Sequence, residues 1–206
     1  MKLILIKLNK LDSLAVFLFL AVIFIMTNCK KEPSNLDSKI LESVVFSDEE
    51  ILDTARANLD WYLDAIEYGG VENYGFHSTS EFDLIELGEP YLELILNQDF
   101  IEDDKFSNID NYIYNYNSWR IPLEVNNEYR CYIKISLHND ILSLVSGGGS
   151  IFARLLDNCE REYDLKNKEK EYLLFLRNDY NCNFLMVEDK KNYKIYPIGD
   201  PESFFL

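Results

Sequence analysis

The sequence predicts an α+β domain, an antiparallel sheet of about six strands with two amphipathic helices packed on it. Three observations predict it. From Ile51 to Ile66 apolar residues recur at helical spacing behind a capping-box pair, Ser47 and Glu50. From Trp119 onward, short runs alternate apolar and polar residues and are separated by Asn- and Gly-rich turns. Between those runs a second apolar stripe, Phe152, Leu155, Leu156, Cys159 and Tyr163, fits one face of a helix.

The chain begins with Lys2, Lys7 and Lys10, followed by an uninterrupted apolar run of 13 residues from Leu14 to Met26 and then Thr27, Asn28 and Cys29. A basic head, a short apolar stretch and a small polar exit make a secretory signal over residues 1–28. The run is short for a membrane-spanning helix, which needs about 20 apolar residues, and Lys7, Lys10 and Asp12 block its extension. The exit resembles the lipobox of bacterial lipoproteins. Met26 stands where Leu is usual and Asn28 where Gly, Ala or Ser is usual, as in the looser lipoboxes of spirochaetes. The resemblance implies that Cys29 is acylated, becomes the first residue of the mature chain and anchors it to the cell membrane or outer membrane. The domain would then face the periplasm or the cell exterior. An uncleaved anchor, or a signal cut elsewhere, are the alternatives. Residues 29–45, with Pro33 and scattered polar residues, read as a tether, and 46–206 as a single domain.

The first helix should run from Ser47 to Tyr68 and stop at Gly69-Gly70, with Asp53, Arg56, Asn58, Asp60 and Asp64 on its outer face. Ser78 and Glu81 repeat the capping-box spacing and suggest one helical turn through Glu81–Ile85. Gly88 and Pro90 mark a turn before a strand, Tyr91–Leu96. Residues Asn97 to Ser118 read as a long acidic excursion that ends in the alternating stretch Tyr112–Tyr116.

Trp119–Val125 and Tyr129–Leu137 flank Asn126-Asn127, a tight-hairpin spacing. In the second of these strands Tyr129, Cys131, Ile133, Ile135 and Leu137 should share one face. His138-Asn139-Asp140 turns the chain into Ile141–Val145. Ser146-Gly147-Gly148-Gly149 closes that strand, and Ser150 is placed to cap the second helix. Strands Tyr172–Arg177, Cys182–Val187 and Tyr193–Ile198 complete the sheet. The LGEPY turn (Leu87 to Tyr91), WRIPL (Trp119 to Leu123) and the Asn126-Asn127 strand pair resemble a pattern of uncharacterised exported bacterial proteins. That resemblance implies an α+β envelope domain and carries no catalytic residues.

Charge narrows the function. The chain carries −16, and residues 1–28 hold three of its 20 basic and one of its 36 acidic residues, so the remainder carries about −18. Such a body repels nucleic acid and anionic lipid alike, so membrane attachment would come from the lipid at Cys29. Beyond Cys29 stand Cys131, Cys159 and Cys182, an odd number that permits one disulfide. A Cys131–Cys159 bridge and a pair of core thiols are both compatible with the pattern. With no C-x-x-C, and only His77 and His138 to assist, no zinc centre and no cofactor is expected.

Four features could carry chemistry. The Ser146–Ser150 loop lies between strand and helix, where phosphates bind, but it lacks the P-loop lysine; tight packing explains its glycines better. Asp99, Glu102, Asp103, Asp104 and Asp110 lack the ordered spacing of a calcium loop and read as a solvated acidic segment. Tyr112, Tyr114 and Tyr116 would lie on one strand face near Trp119, either as core or as a surface that stacks on a sugar or grips a protein. The carboxylates are too numerous for a catalytic pair to be chosen. The expectation is therefore a non-catalytic binding or accessory lipoprotein that meets an envelope protein or glycan through Tyr112, Tyr114, Tyr116 and Trp119. The alternative is an envelope hydrolase that uses carboxylates.

Overall fold

Ser47 starts helix α1 (Asp48–Gly69) as its sequence demands. Its hydroxyl accepts from the Glu50 backbone N–H at 3.3 Å, and the Glu50 carboxylate accepts from the Ser47 N–H at 2.8 Å. Ile51, Ala55, Tyr62 and Ile66 form the buried stripe, and burial of each isoleucine contributes about 1.5–3 kcal/mol. The chain leaves the helix at Gly70, whose φ of +89° suits glycine. The computed structural model describes residues 46–97, 112–165, 171–176, 183–189 and 192–199. The signal segment, Cys29 and the tether lie outside these, as do Asp99, Glu102, Asp103, Asp104, Asp110 and Cys182. No helix among the described residues is long and apolar enough to cross a membrane.

Two 3₁₀ turns follow α1, Val71–Tyr74 and Thr79–Leu84. Ser78 does not cap the second through its side chain. The Glu81 carboxylate instead accepts from the His77 N–H at 2.8 Å and pairs with Arg130 at 3.0 Å, which ties the turn to the sheet.

The strands are β1 (Glu86–Leu87), β2 (Tyr91–Leu96), β3 (Ile113–Val125), β4 (Glu128–His138), β5 (Ile141–Gly148), β6 (Glu171–Leu176), β7 (Asn183–Asp189) and β8 (Asn192–Pro197). Helix α2 (Ser150–Tyr163) lies between β5 and β6 in sequence. The strand order is β5-β4-β3-β2-β6-β7-β8, with β1 paired to β3. The α+β class stands, but two details of the expectation are corrected. The sheet has eight strands among the described residues, not about six, and it is mixed, because β2 and β6 run parallel. Two strands joined by a hairpin turn must be antiparallel. A parallel pair needs a long crossover, here the path through β3, β4, β5 and α2. The turns that join β3 to β4 and β4 to β5 each use two residues of positive φ, Asn126-Asn127 (+55° and +62°) and Asn139-Asp140 (+50° and +62°), as two-residue turns require.

Three local corrections matter for the site. First, β3 begins at Ile113 rather than Trp119, so the end of the supposed excursion belongs to the sheet. Second, β5 continues to Gly148, and only Gly149 separates it from α2. A Cβ on Gly147 would stand 2.3 Å from the Tyr62 ring, so the bare backbone makes room for α1. Gly149 is the N-cap of α2, and Ser150 caps nothing; its hydroxyl donates to the Asn73 carbonyl at 3.1 Å. Third, Leu123 pairs with Cys131 but Glu124 with Tyr129, which leaves Arg130 as the extra residue of a bulge. The bulge turns Tyr129 to the face opposite Cys131.

The sheet therefore has two covered faces. One packs Leu92, Leu94, Trp119, Ile121, Leu123, Cys131, Ile133 and Ile135 under α1. The other packs Tyr91, Tyr129, Leu173 and Leu185 against Ala153, Leu156 and Cys159 of α2. Cys131 and Cys159 consequently lie in different clusters, and both are free thiols. The bridge is not formed, because the sheet stands between them.

Candidate functional site

Strand β2 reads Tyr-Leu-Glu-Leu-Ile-Leu. Its three leucines enter the cluster under α1, so Tyr91, Glu93 and Ile95 point to the other face. Each of those three anchors a different group of side chains.

At the first, the Glu160 carboxylate of α2 accepts hydrogen bonds from both Tyr91 and Tyr129, the latter at 2.8 Å. The two hydroxyls are 3.1 Å apart, and Glu160 is only 1 % exposed. Burial, then the Glu160 charge, holds both phenols well above their ordinary range. At the second, Glu93 pairs with Arg120 and Lys134. The Arg120 guanidinium is 4.4, 4.6 and 4.5 Å from the ring centroids of Tyr132, Phe152 and Phe175. A desolvated cation among three π-faces is held both by its carboxylate and by the rings. Helix α2 takes part in both groups, through Glu160 and Phe152.

The third group is open. Ile95 is directly opposite Tyr114 across the β2–β3 ladder. With Tyr116 and Asn97 they line a hollow of about 250 Å³, and no residue of α2 is in its wall. Tyr114 is 47 % and Tyr116 54 % exposed. The strand is irregular here: Leu92 pairs with Trp119 and Leu94 with Asn115, so three residues of β3 oppose Glu93 alone. Asn117 takes φ +50° within that irregularity, and its N–H donates to the Asn115 side chain at 2.7 Å.

The four aromatic residues expected to form a binding face are thus divided. Tyr114 and Tyr116 share the open hollow. Trp119 is 2 % exposed and packs in the cluster under α1, on the opposite side of the sheet. Tyr112 precedes β3 and is half-buried against that same cluster, with its carbonyl accepting from the Asn97 N–H at 2.8 Å. Sequence reading missed Ile95, which comes from the strand before the excursion, and named Asn97 only as the excursion's first residue. Their signal was present, since an excursion between paired strands must begin and end at neighbouring points.

A second, larger cleft of about 430 Å³ is lined by Asp83, Leu84, Ile85, Glu86, Glu124, Asn126 and Asn127. Its acidic wall could attract cations, yet among the described residues no three His, Cys, Asp or Glu are grouped to hold a metal ion. His77 and His138 are both exposed. Burial pushes the Cys131 and Cys159 thiols up to about 12, so neither is a ready nucleophile. Set against known proteins, the chain matches no family model, no curated protein and no solved structure.

Proposed function

We propose that this chain is a non-catalytic binding or accessory protein of a bacterial cell envelope, held to its membrane by acylation at Cys29. The hollow at Ile95, Asn97, Tyr114 and Tyr116 is its contact surface. One observation carries the binding part of this reading: two tyrosines about half exposed on a sheet face whose neighbouring groups are sealed by α2. A phenol ring is costly to leave in water, and a surface that presents two beside a hollow is suited to recognition. The anchor rests on the N-terminal pattern of lysines, apolar run and cysteine. Mass spectrometry of the N-terminal peptide tests it: an acylated Cys29 supports the anchor, and an unmodified Cys29 within an intact chain removes it. Capture from envelope extracts tests the contact surface. Wild-type chain should retain a ligand that the Tyr114→Ala/Tyr116→Ala double variant loses, and retention by both would remove the hollow from the account.

A further inference from the structure

We infer that the hollow takes a neutral sugar, one ring of a glycan chain, rather than a protein partner or an acidic polysaccharide. This rests on the contact surface proposed above and adds the class of its ligand. Size comes first. At about 250 Å³ the hollow is slightly below the roughly 300–1,000 Å³ of sites for drug-sized ligands. A stable protein interface instead buries about 800 Å² on each partner around a core of large apolar side chains. Here the apolar contribution is Ile95 and two tyrosine rings.

Chemistry comes second. The four described residues that line it are uncharged. The nearest ionic group along β2, Glu93, is already paired to Arg120 and Lys134, and the chain carries −16 overall. An anionic polymer would meet repulsion at long range and, among the described residues, no lining cation at contact. A cation would find no carboxylate among the described residues of the wall. What remains is a ligand with an apolar face and a polar rim. A pyranose ring presents axial C–H bonds on one face and hydroxyls around its edge. Tyr114 and Tyr116, both lining the hollow, carry aromatic rings suited to the first and phenol hydroxyls suited to the second.

The irregularity of β3 fits the same purpose. Three residues of β3 opposite Glu93 alone bend the strand beside Tyr116, as bulges do where a side chain is re-aimed. Immediately beyond, α2 closes over the sheet with Phe152 stacked on Phe175. The hollow is formed by residues of β2 and β3 and by Asn97 alone among the described residues, and a glycan would lie across those two strands.

The test uses the full chain in detergent with neutral oligosaccharides of glucose, galactose, mannose and N-acetylglucosamine, and with galacturonic acid trimer as the acidic control. Calorimetry should find at least one neutral sugar bound about tenfold or more tighter than the acidic one. Tyr114→Ala and Tyr116→Ala should each weaken it by about tenfold, while Tyr→Phe at either position keeps most of the affinity. Because a variant can fail for reasons of folding, nitration of the wild-type chain supplies a second reading. A bound sugar should slow nitration of Tyr114 and Tyr116 but leave Tyr68, 96 % exposed on α1, unaffected. Absence of binding by every neutral sugar, or binding without protection of these two tyrosines, overturns the inference. If no sugar binds but the double variant loses an envelope protein in capture, the sugar is wrong and the contact surface survives. If nothing is lost in capture either, both fall.

Discussion

Glu160 shows how much one residue of this chain is asked to hold. Its carboxylate is the acceptor for Tyr91 and Tyr129, which come from strands on either side of β3. It thereby ties α2, β2 and β4 at one buried point. Hydrogen bonds to a charged group contribute about 1.5–3 kcal/mol, so Tyr129→Phe should destabilise the fold by about that amount in urea titration. Glu160→Leu should cost more, because it leaves two phenols without their acceptor; a loss under about 0.5 kcal/mol in both would contradict the arrangement. The same residues set an alkaline limit. Tyr62, Tyr91, Tyr129, Cys131 and Cys159 are all raised, chiefly by burial, from ordinary values of 10.0 and 9.0. A group whose folded value is raised contributes stability fully below its unfolded value and loses it as the pH climbs beyond. Urea midpoints should therefore hold steady from neutrality to about pH 9 and fall by about pH 11. A flat profile through pH 11 would show that these groups ionise in place.

Among the elements, the packing of α1 on β5 depends on a missing side chain. Tyr62 lies over Gly147, and its hydroxyl donates to the Tyr132 carbonyl at 3.3 Å. Gly147→Ala must displace that ring, at an expected cost of about 1–3 kcal/mol, the range for overpacked cores. The double variant Gly147→Ala/Tyr62→Leu should recover part of it; additive losses in thermal unfolding would mean that the two residues do not meet. This contact also explains what the sequence could and could not disclose. Helix α1 was legible because Ser47, Glu50 and the Ile51-to-Ile66 stripe are local signals. The hairpins were legible because Asn126-Asn127 and Asn139-Asp140 tolerate positive φ. The face of Tyr129 was not, since alternation through Arg130 predicts one side and the bulge delivers the other. Nor was Trp119 separable from Tyr116, because the two intervening residues, Asn117 and Ser118, say nothing about which side of a sheet the ring will reach. The candidate site was half legible: Tyr114 and Tyr116 stood out as an alternating pair, whereas Ile95 and Asn97 joined them only through strand pairing.

For the whole molecule, the consequential feature is the parallel pairing of β2 with β6. No local pattern encodes it. The register runs from Leu92 with Tyr172 to Leu96 with Leu176, between residues far apart in sequence. It places β6 next to β2 in the sheet, although β3, β4, β5 and α2 come between them in the chain. A chain shortened to residues 1–165 would leave one side of β2 without its ladder, along with Leu92 and Leu94, which are 5 % and 0 % exposed. Such a fragment should be trapped by proteases and by hydrophobic dyes, with β2 and α2 the first parts to lose amide protection. Cooperative unfolding indistinguishable from that of the full chain would show that β6–β8 are an independent addition. The same pairing fixes a schedule. A polypeptide emerging N-terminus first presents β2 long before β6, so the interior of its sheet stays open until nearly the last strands arrive. Until β6 arrives, β2 is an edge that the protein cannot close for itself.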